Sequence, residues 1–302
     1  MMKKKAVLVA KGFCMGAADV VPGVSGGTMA FILGIYAELI AAIRSFDKES
    51  LLALLRLDVK SALSRPHFGF LIPLGLGVLG ALLFFTRIVH LPDLLRSYPE
   101  QIYGLFFGLI VGSIILLITE MKELQTKDYL MIVPGLVLGL LVFNLVPTET
   151  PETAWFVFLS GALAICAMIL PGISGSFILL VLNKYAYIFN AIGYFNFSVL
   201  IPFGLGAITG LLLFSRVLSY LLSKYYRRTI LFISGLLIAS LYVIWPFQDR
   251  IYEIVREKPR LIASRPVLPS EISSTVVVSI ALLVVGLVVV IALSWMSNRK
   301  QT

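Results

Sequence analysis

Six apolar runs of about 20 residues, at 69–88, 102–119, 129–146, 198–222, 229–246 and 275–296, constrain this chain more than any other feature. Each is long enough to cross roughly 30 Å of hydrocarbon as a helix. Inside a bilayer no water satisfies the backbone, so a spanning segment must bond its own amides as a helix or close into a barrel. These runs are apolar throughout rather than alternating, which excludes barrel strands and predicts an all-α polytopic membrane protein.

Composition agrees. The 302 residues are 59% hydrophobic and 14% charged, and the mean hydropathy of +0.97 lies outside the range of water-soluble globular chains. A net charge of +9 would suggest nucleic acid for a soluble protein. Here the basic residues fall in short loops between spans, which argues for membrane orientation and against a nucleic-acid partner. With the N-terminus cytoplasmic, the inner face collects Lys3 to Lys5, Arg44, Arg56, Lys60, Lys122, Lys127, Lys224, Arg227 and Arg228, and both termini are read as cytoplasmic. The outer loop 248–274, with Arg250, Arg256, Lys258, Arg260 and Arg265, is the exception; Pro259, Pro266 and Pro269 predict an irregular path over its second half. The opening Met-Met-Lys-Lys-Lys is not read as a cleaved signal, because Lys11 and Asp19 interrupt the apolar stretch behind it.

One unit is used twice. Pro22, Gly23, Ser25, Gly26, Leu33, Tyr36, Ala37, Ala42 and Ile43 match Pro171, Gly172, Ser174, Gly175, Leu182, Tyr185, Ala186, Ala191 and Ile192 at a constant offset. Downstream, Ile72 to Gly77 (IPLGLG) returns as Ile201 to Gly206 (IPFGLG), and Phe85-Thr86-Arg87 as Phe214-Ser215-Arg216. A weaker echo sets Gly108, Leu109 and Ser113 against Gly235, Leu236 and Ser240. The halves are read as 1–147 and 148–302. Each holds a broken hairpin, 6–43 or 155–192, either re-entrant or a full helix pair, followed by three spans. Either form makes an odd number of crossings, so the second copy is expected to be inverted, as in many secondary transporters. Residues 47–64 set leucines among charges and predict an interfacial helix on the cytoplasmic face.

The chemistry concentrates at the breaks. In Pro22-Gly23-Val24-Ser25-Gly26-Gly27-Thr28 and Pro171-Gly172-Ile173-Ser174-Gly175-Ser176, proline and glycine interrupt helix within apolar sequence. Broken backbone at membrane depth is tolerated where protein buries it or where it lines a wet cavity. Ser25 and Ser174 are placed to cap the half-helices that follow, whose N-terminal amides bind anions, phosphate included. Arg87 and Arg216 occupy equivalent positions, Arg87 toward the outer face and Arg216 toward the inner; each suits either a snorkelling anchor or a bidentate phosphate clamp. Asp19 and Glu38, neither with an acidic counterpart in the other half, are candidates to carry a coupling proton. For Asp19 an ion pair with Lys11 stands beside that reading, and Lys184 is a further ionisable group near the second break. Cys14 and Cys166 read as small buried hydrophobes, and His67 and His90 show no metal-ligand spacing. No nucleotide-binding loop or cofactor motif is present, so no cofactor and no metal are expected.

The GAADVVPGVSGGT run, the paired PG(V/I)SG motifs and the length together resemble the bacterial polyprenyl-phosphate transporter family (PopT) over essentially the whole chain. The resemblance implies a flippase that returns undecaprenyl phosphate from the outer to the inner leaflet of the cytoplasmic membrane for lipid-carrier recycling. It implies a polyprenyl phosphate lipid as partner, and no enzyme activity. Two alternatives stand beside it. Integral-membrane undecaprenyl-pyrophosphate phosphatases also use inverted repeats, but their PGxSRS-like loop has Arg where this chain has Gly26 and Gly175, and paired glutamates are missing nearby. A small-ion or solute transporter on the same plan would need a more polar set of residues at the glycine-rich tips.

Overall fold

The computed structural model describes residues 2–21, 24–46, 56, 58, 66–121, 125–145, 150–255 and 258–298. Pro22 and Gly23 lie outside the described residues, as does the expected interfacial helix 47–64 apart from residues 56 and 58. Five of the six apolar runs coincide with helices of spanning length, whereas 129–146 holds only the 12-residue helix Ile132–Phe143. Among the described residues, five helices are long and apolar enough to cross a membrane, or six if a bent pair counts as one span.

The helices fall into two compact units, each drawing on both halves of the sequence. The first, residues 1–89 and 146–229, contains both broken segments. Its elements from the first half are α1 (Met2–Asp19), α2 (Gly26–Ile32), α3 (Tyr36–Arg44) and α4 (Phe68–Arg87). The second unit, residues 90–145 and 230–302, begins with α5 (Leu91–Ser97), α6 (Pro99–Glu120), α7 (Thr126–Tyr129) and α8 (Ile132–Phe143). The chain then returns to the first unit with α9 (Ala154–Ile169), α10 (Gly175–Val181), α11 (Tyr185–Gly193) and α12 (Phe197–Lys224). It ends in the second with α13 (Tyr226–Val243), a β-hairpin and α14 (Ser274–Asn298).

Glycine decides how the long helices pack. With no hydrophobic drive between helices in lipid, close backbone approach supplies the attraction, and small residues permit it. A Cβ at Gly77 would lie 2.0 Å from the Val9 carbonyl oxygen, and one at Gly12 2.0 Å from that of Leu74, so α1 and α4 touch backbone to backbone. The equivalent positions repeat the contact between α9 and α12: Gly206 against Phe158 at 1.8 Å, Gly161 against Phe203 at 2.2 Å. In the second unit the matching pairs are exchanged between halves. A Cβ at Gly108 of α6 would lie 1.9 Å from the Leu283 carbonyl oxygen of α14, and one at its counterpart Gly235 of α13 2.2 Å from that of Ile132 of α8. No side chain larger than hydrogen fits at these crossings without moving backbone.

The outward faces are apolar. Ile72, Leu76, Leu79 and Leu83, three and four residues apart, form an exposed stripe along α4, and Ile201, Leu205 and Ile208 begin another on α12. Such stripes would be an aggregation hazard in water and are an ordinary lipid-facing surface in a bilayer. Loop 248–274 departs from the expected irregular path. Gln248–Val255 (β1) and Lys258–Pro266 (β2) pair antiparallel, with Gln248 opposite Pro266 and an irregularity between Ile251 and Tyr252. The β-branched Ile251, Ile254 and Val255 and the aromatic Tyr252 in one strand, and Ile262 in the other, favour strand, and Pro259 and Pro266 are tolerated because a two-stranded ribbon has only edges. Among the described residues of the loop, Val267 to Ser273 follow the irregular path expected of its second half.

Candidate functional site

The two broken segments meet. Each long helix, α1 or α9, stops at the Pro-Gly break, and a seven-residue half-helix, α2 or α10, starts after the serine. Each half-helix then turns into a third helix through a left-handed residue, Gly34 (φ 67°) in the first half and Asn183 (φ 51°) at the equivalent place in the second. Glycine and asparagine are the residues that adopt this conformation at least cost. Between α10 and α11 the chain bends by 109°.

The first half-helix is packed onto the end of α9. Ser25, 2% exposed, accepts from the Gly27 amide at 3.1 Å as an N-cap and donates its hydroxyl to the Met168 carbonyl at 3.0 Å. The Tyr36 hydroxyl donates to the Ile169 carbonyl at 3.2 Å, and the Gly172 amide donates to Thr28 Oγ1 at 2.8 Å. The Ser25 and Tyr36 bonds satisfy carbonyls that a helix C-terminus leaves without intrahelical partners, and the Thr28 bond satisfies the Gly172 amide. Gly27 allows the approach: a Cβ there would lie 2.8 Å from both the Met168 and Ile169 oxygens. Gly26 is likewise tight, against the Asp19 carboxylate.

The expected Asp19–Lys11 ion pair does not form. Asp19 Oδ1 accepts from the Gly26 amide at 2.6 Å, at the N-terminus of α2, whereas Lys11 Nζ donates to the Leu33 carbonyl at 2.7 Å, at its C-terminus. Eight residues of α1 separate them by about 12 Å. The carboxylate stands at the positive end of the half-helix and the ammonium at the negative end, each complementing the helix dipole. Glu38, exposed on α3, is the carboxylate whose charge reaches Lys11.

The second half-helix is built differently. Ser174 occupies the N-cap position but makes no side-chain cap; its hydroxyl is 2.7 Å from that of Ser176. The first half has Gly27 where Ser176 stands, so Ser25 has no neighbouring hydroxyl to compete for it. Met168 replaces Asp19 at the equivalent position. Pro171, Gly172 and Gly175 are buried, Ser174 is half-buried and Ser176 exposed. Among the described residues the first turn of α2 is buried, whereas that of α10 borders an apolar cleft.

Arg87 is exposed at the end of α4. Arg216 donates to the Leu212 carbonyl at 2.7 Å and to that of Phe46, just beyond α3, at 3.2 Å. The approaches of Val9 to Gly77 and Gly16 to Ala81 make α1 and α4 parallel; at about 1.5 Å per residue, that register carries Arg87 to the height of the first break. Phe158 with Gly206 and Ile165 with Gly210 do the same for Arg216 and the second break.

Sequence reasoning gave no role to Lys184, 2% exposed, which donates to the Thr150 carbonyl at 2.8 Å and lies 5.7 Å from the ring centres of Phe156 and Tyr187. The Thr150 hydroxyl in turn donates to the Leu182 carbonyl at the end of α10. A lysine thus serves the C-terminal end of each half-helix, from positions that do not correspond in the repeat: Lys11 aligns with Ser160 and Lys184 with Ile35. That mismatch hid the parallel. The match of Tyr36 with Tyr185 was a usable signal that a tyrosine belongs at this junction. Cys14 and Cys166 are free and half-buried. Among the described residues, no three His, Cys, Asp or Glu side chains could hold a metal ion.

Long apolar helices with lipid-compatible faces, enclosing two broken segments, define a multi-pass membrane protein. The chain belongs to the undecaprenyl phosphate translocase-like family, whose pattern matches residues 15–262. It is 40% identical over 240 residues to the polyprenyl-phosphate transporter of Vibrio cholerae serotype O1, covering 79% of this chain and 77% of that one. It is 34% identical over 267 residues to the polyprenyl-phosphate transporter of Staphylococcus aureus, covering 82% and 88%. No solved structure matches the chain.

Proposed function

We propose that this chain transports polyprenyl phosphate, as undecaprenyl phosphate, across the bacterial cytoplasmic membrane, returning it from the outer to the inner leaflet. The relatives that carry the polyprenyl-phosphate transporter name align over most of its length and are named as transporters, not enzymes. The observation that carries the reading is the meeting of two Pro/Gly-broken segments, one from each half, through Ser25, Thr28 and Tyr36. Half-helix amides and small hydroxyls gathered within apolar surroundings suit a phosphate once it displaces their present acceptors, the Asp19 carboxylate at the Gly26 amide and the Met168 carbonyl at the Ser25 hydroxyl. In this reading Pro22, Gly23, Ser25, Gly26, Gly27 and Thr28 form one phosphate station, and Pro171, Gly172, Ser174, Gly175 and Ser176 the other. Arg87 serves capture at the outer leaflet and Arg216 release at the inner.

The halves 1–147 and 148–302 are inverted repeats in this proposal, with both termini cytoplasmic. Support comes from the recurrence of the glycine contacts at equivalent positions, including their exchange between α6–α14 and α8–α13. Inversion makes the two ends of the transport path chemically alike, which allows one lipid to be handled from either leaflet. Asp19 holds the amide that a phosphate would take at the first station. A carboxylate that yields this place on protonation would link transport to a proton, with Glu38 beside Lys11 as the second candidate.

Protein in liposomes loaded with labelled undecaprenyl phosphate tests the reading. Leaflet exchange of the lipid is expected, without phosphate release from undecaprenyl pyrophosphate; phosphate release, or ion flux without lipid exchange, refutes it. Arg87→Lys keeps the charge but loses the planar fork and is expected to slow exchange. Full activity in both Arg87→Ala and Arg216→Ala reduces the arginines to anchors. Asp19→Asn is expected to abolish the response to an imposed pH gradient while retaining lipid binding, and unchanged pH dependence in a folded Asp19→Asn protein discards the coupling.

A further inference from the structure

A cleft of about 310 Å³ runs beside the second broken segment, from Gly175 and Ser176 in the first turn of α10 to Ile192 at the end of α11. Three rings, Tyr185, Phe189 and Phe203, line it together with the small residues Gly161, Ala164 and Ala207. Tyr185 and Phe189 are themselves tilted together with centres 5.1 Å apart. Behind the cleft, Val157, Ile188, Ala191 and Val199 form a buried cluster that packs against Phe203 and fixes the wall. The only side-chain hydroxyls in the lining belong to Ser176 and Tyr185.

The first half differs at the corresponding place. Met15 and Val78 stand where Ala164 and Ala207 are in the second half, so two larger side chains occupy the equivalent positions. Tyr36, the counterpart of Tyr185, is buried with its hydroxyl on the Ile169 carbonyl and its ring edge-on to Phe31 at 5.3 Å. Tyr185 is half-buried and lines the cleft. The duplicated sequence thus makes a sealed junction on one side and an open, ring-lined groove on the other.

The geometry points to this cleft as the seat of the first isoprene units of the lipid chain, directly after its phosphate, an inference that rests on the polyprenyl-phosphate reading. The groove starts at the turn that carries the Ser174–Ser176 hydroxyl pair, so a head held there leads its chain into the apolar stretch. Isoprenoid chains are flat at each alkene and carry methyl branches. Aromatic faces stack on the alkene planes, and the space beside Ala164 and Ala207 admits the branches; a straight saturated chain gains from neither. Both features favour an isoprenoid over an ordinary phospholipid acyl chain.

The test uses the full chain in nanodiscs with bound labelled polyprenyl phosphate, displaced by farnesyl phosphate, by the carbon-matched pentadecyl phosphate or by inorganic phosphate. Farnesyl phosphate is expected to displace the label at about tenfold lower concentration than pentadecyl phosphate. Ala207→Phe, which fills the groove, is expected to raise the farnesyl phosphate requirement about tenfold while leaving that of inorganic phosphate unchanged. Phe189→Leu, which keeps bulk but removes a ring, is expected to narrow the farnesyl-to-pentadecyl difference, with thermal unfolding reporting that both variants are folded. Equal competition by farnesyl and pentadecyl phosphate in the native protein, or variants that leave the farnesyl requirement unmoved, overturns the inference while the transport reading stands. Failure of the native protein to retain polyprenyl phosphate at all removes the transport reading instead.

Discussion

Lys11 and Asp19 offer a direct measurement of how the first half-helix is held. Each side chain bonds one end of α2, Asp19 at the Gly26 amide and Lys11 at the Leu33 carbonyl. Lys11→Met leaves the Leu33 oxygen without this donor, and Asp19→Ala leaves the Gly26 amide without this acceptor; each loss costs about 1–3 kcal/mol where the group is buried. Asp19→Asn retains an acceptor oxygen and should cost less than Asp19→Ala, with the lost dipole interaction contributing about 0.3–1 kcal/mol. Because the two groups lie about 12 Å apart along α1 and share no bonding partner, the Lys11→Met, Asp19→Ala double mutant should lose the sum of the single losses to within about 0.5 kcal/mol. A direct buried pair behaves otherwise: removing one partner costs about 3–5 kcal/mol, and removing the second restores much of it. Denaturant unfolding of the four proteins in mixed micelles gives the coupling energy. A double mutant more stable than either single mutant would refute the placement of these groups at opposite ends of α2.

Gly206→Ala should destabilise by about 1–3 kcal/mol, because its methyl group meets the Phe158 carbonyl at 1.8 Å. Gly204→Ala, two residues away with open space around the new methyl, should be neutral or stabilise by up to about 1 kcal/mol; thermal unfolding separates them. Ser25→Ala should cost about 0.5–2 kcal/mol for the lost cap and Ser174→Ala less, since only Ser25 caps its half-helix. Equal unfolding midpoints for those two would contradict the asymmetry. Lys184→Met should destabilise by about 1–3 kcal/mol by leaving the Thr150 carbonyl without this donor, read as a lowered unfolding midpoint.

Five of the six apolar spans, the two breaks and the pairing of Tyr36 with Tyr185 were legible in the sequence because each depends on local composition: apolar length, proline and glycine, and a repeated string. The close glycine crossings were half legible. Gly77 and Gly206 stood out as matched letters, but that they touch Val9 and Phe158 depends on which helices lie side by side. The strands at 248–255 and 258–266 were missed because three prolines outweighed the β-branched runs, and a ribbon with two edges accommodates proline.

What the residues by themselves determined is the medium and the plan: a chain this apolar, with duplicated Pro-Gly breaks, has to bury broken backbone inside a bundle of spans. What only the tertiary structure decided is the use made of each copy. Asp19 and Lys11, eight residues apart in sequence, sit at opposite ends of α2 because α2 folds back alongside α1. Ser25 reaches Met168 across 143 positions of sequence, whereas Ser174 turns to Ser176. Near-identical strings acquired different roles because hydrogen bonds and space are settled by neighbours distant in sequence. The sealed junction at Tyr36 and the open groove at Tyr185 come from the same motif meeting different partners.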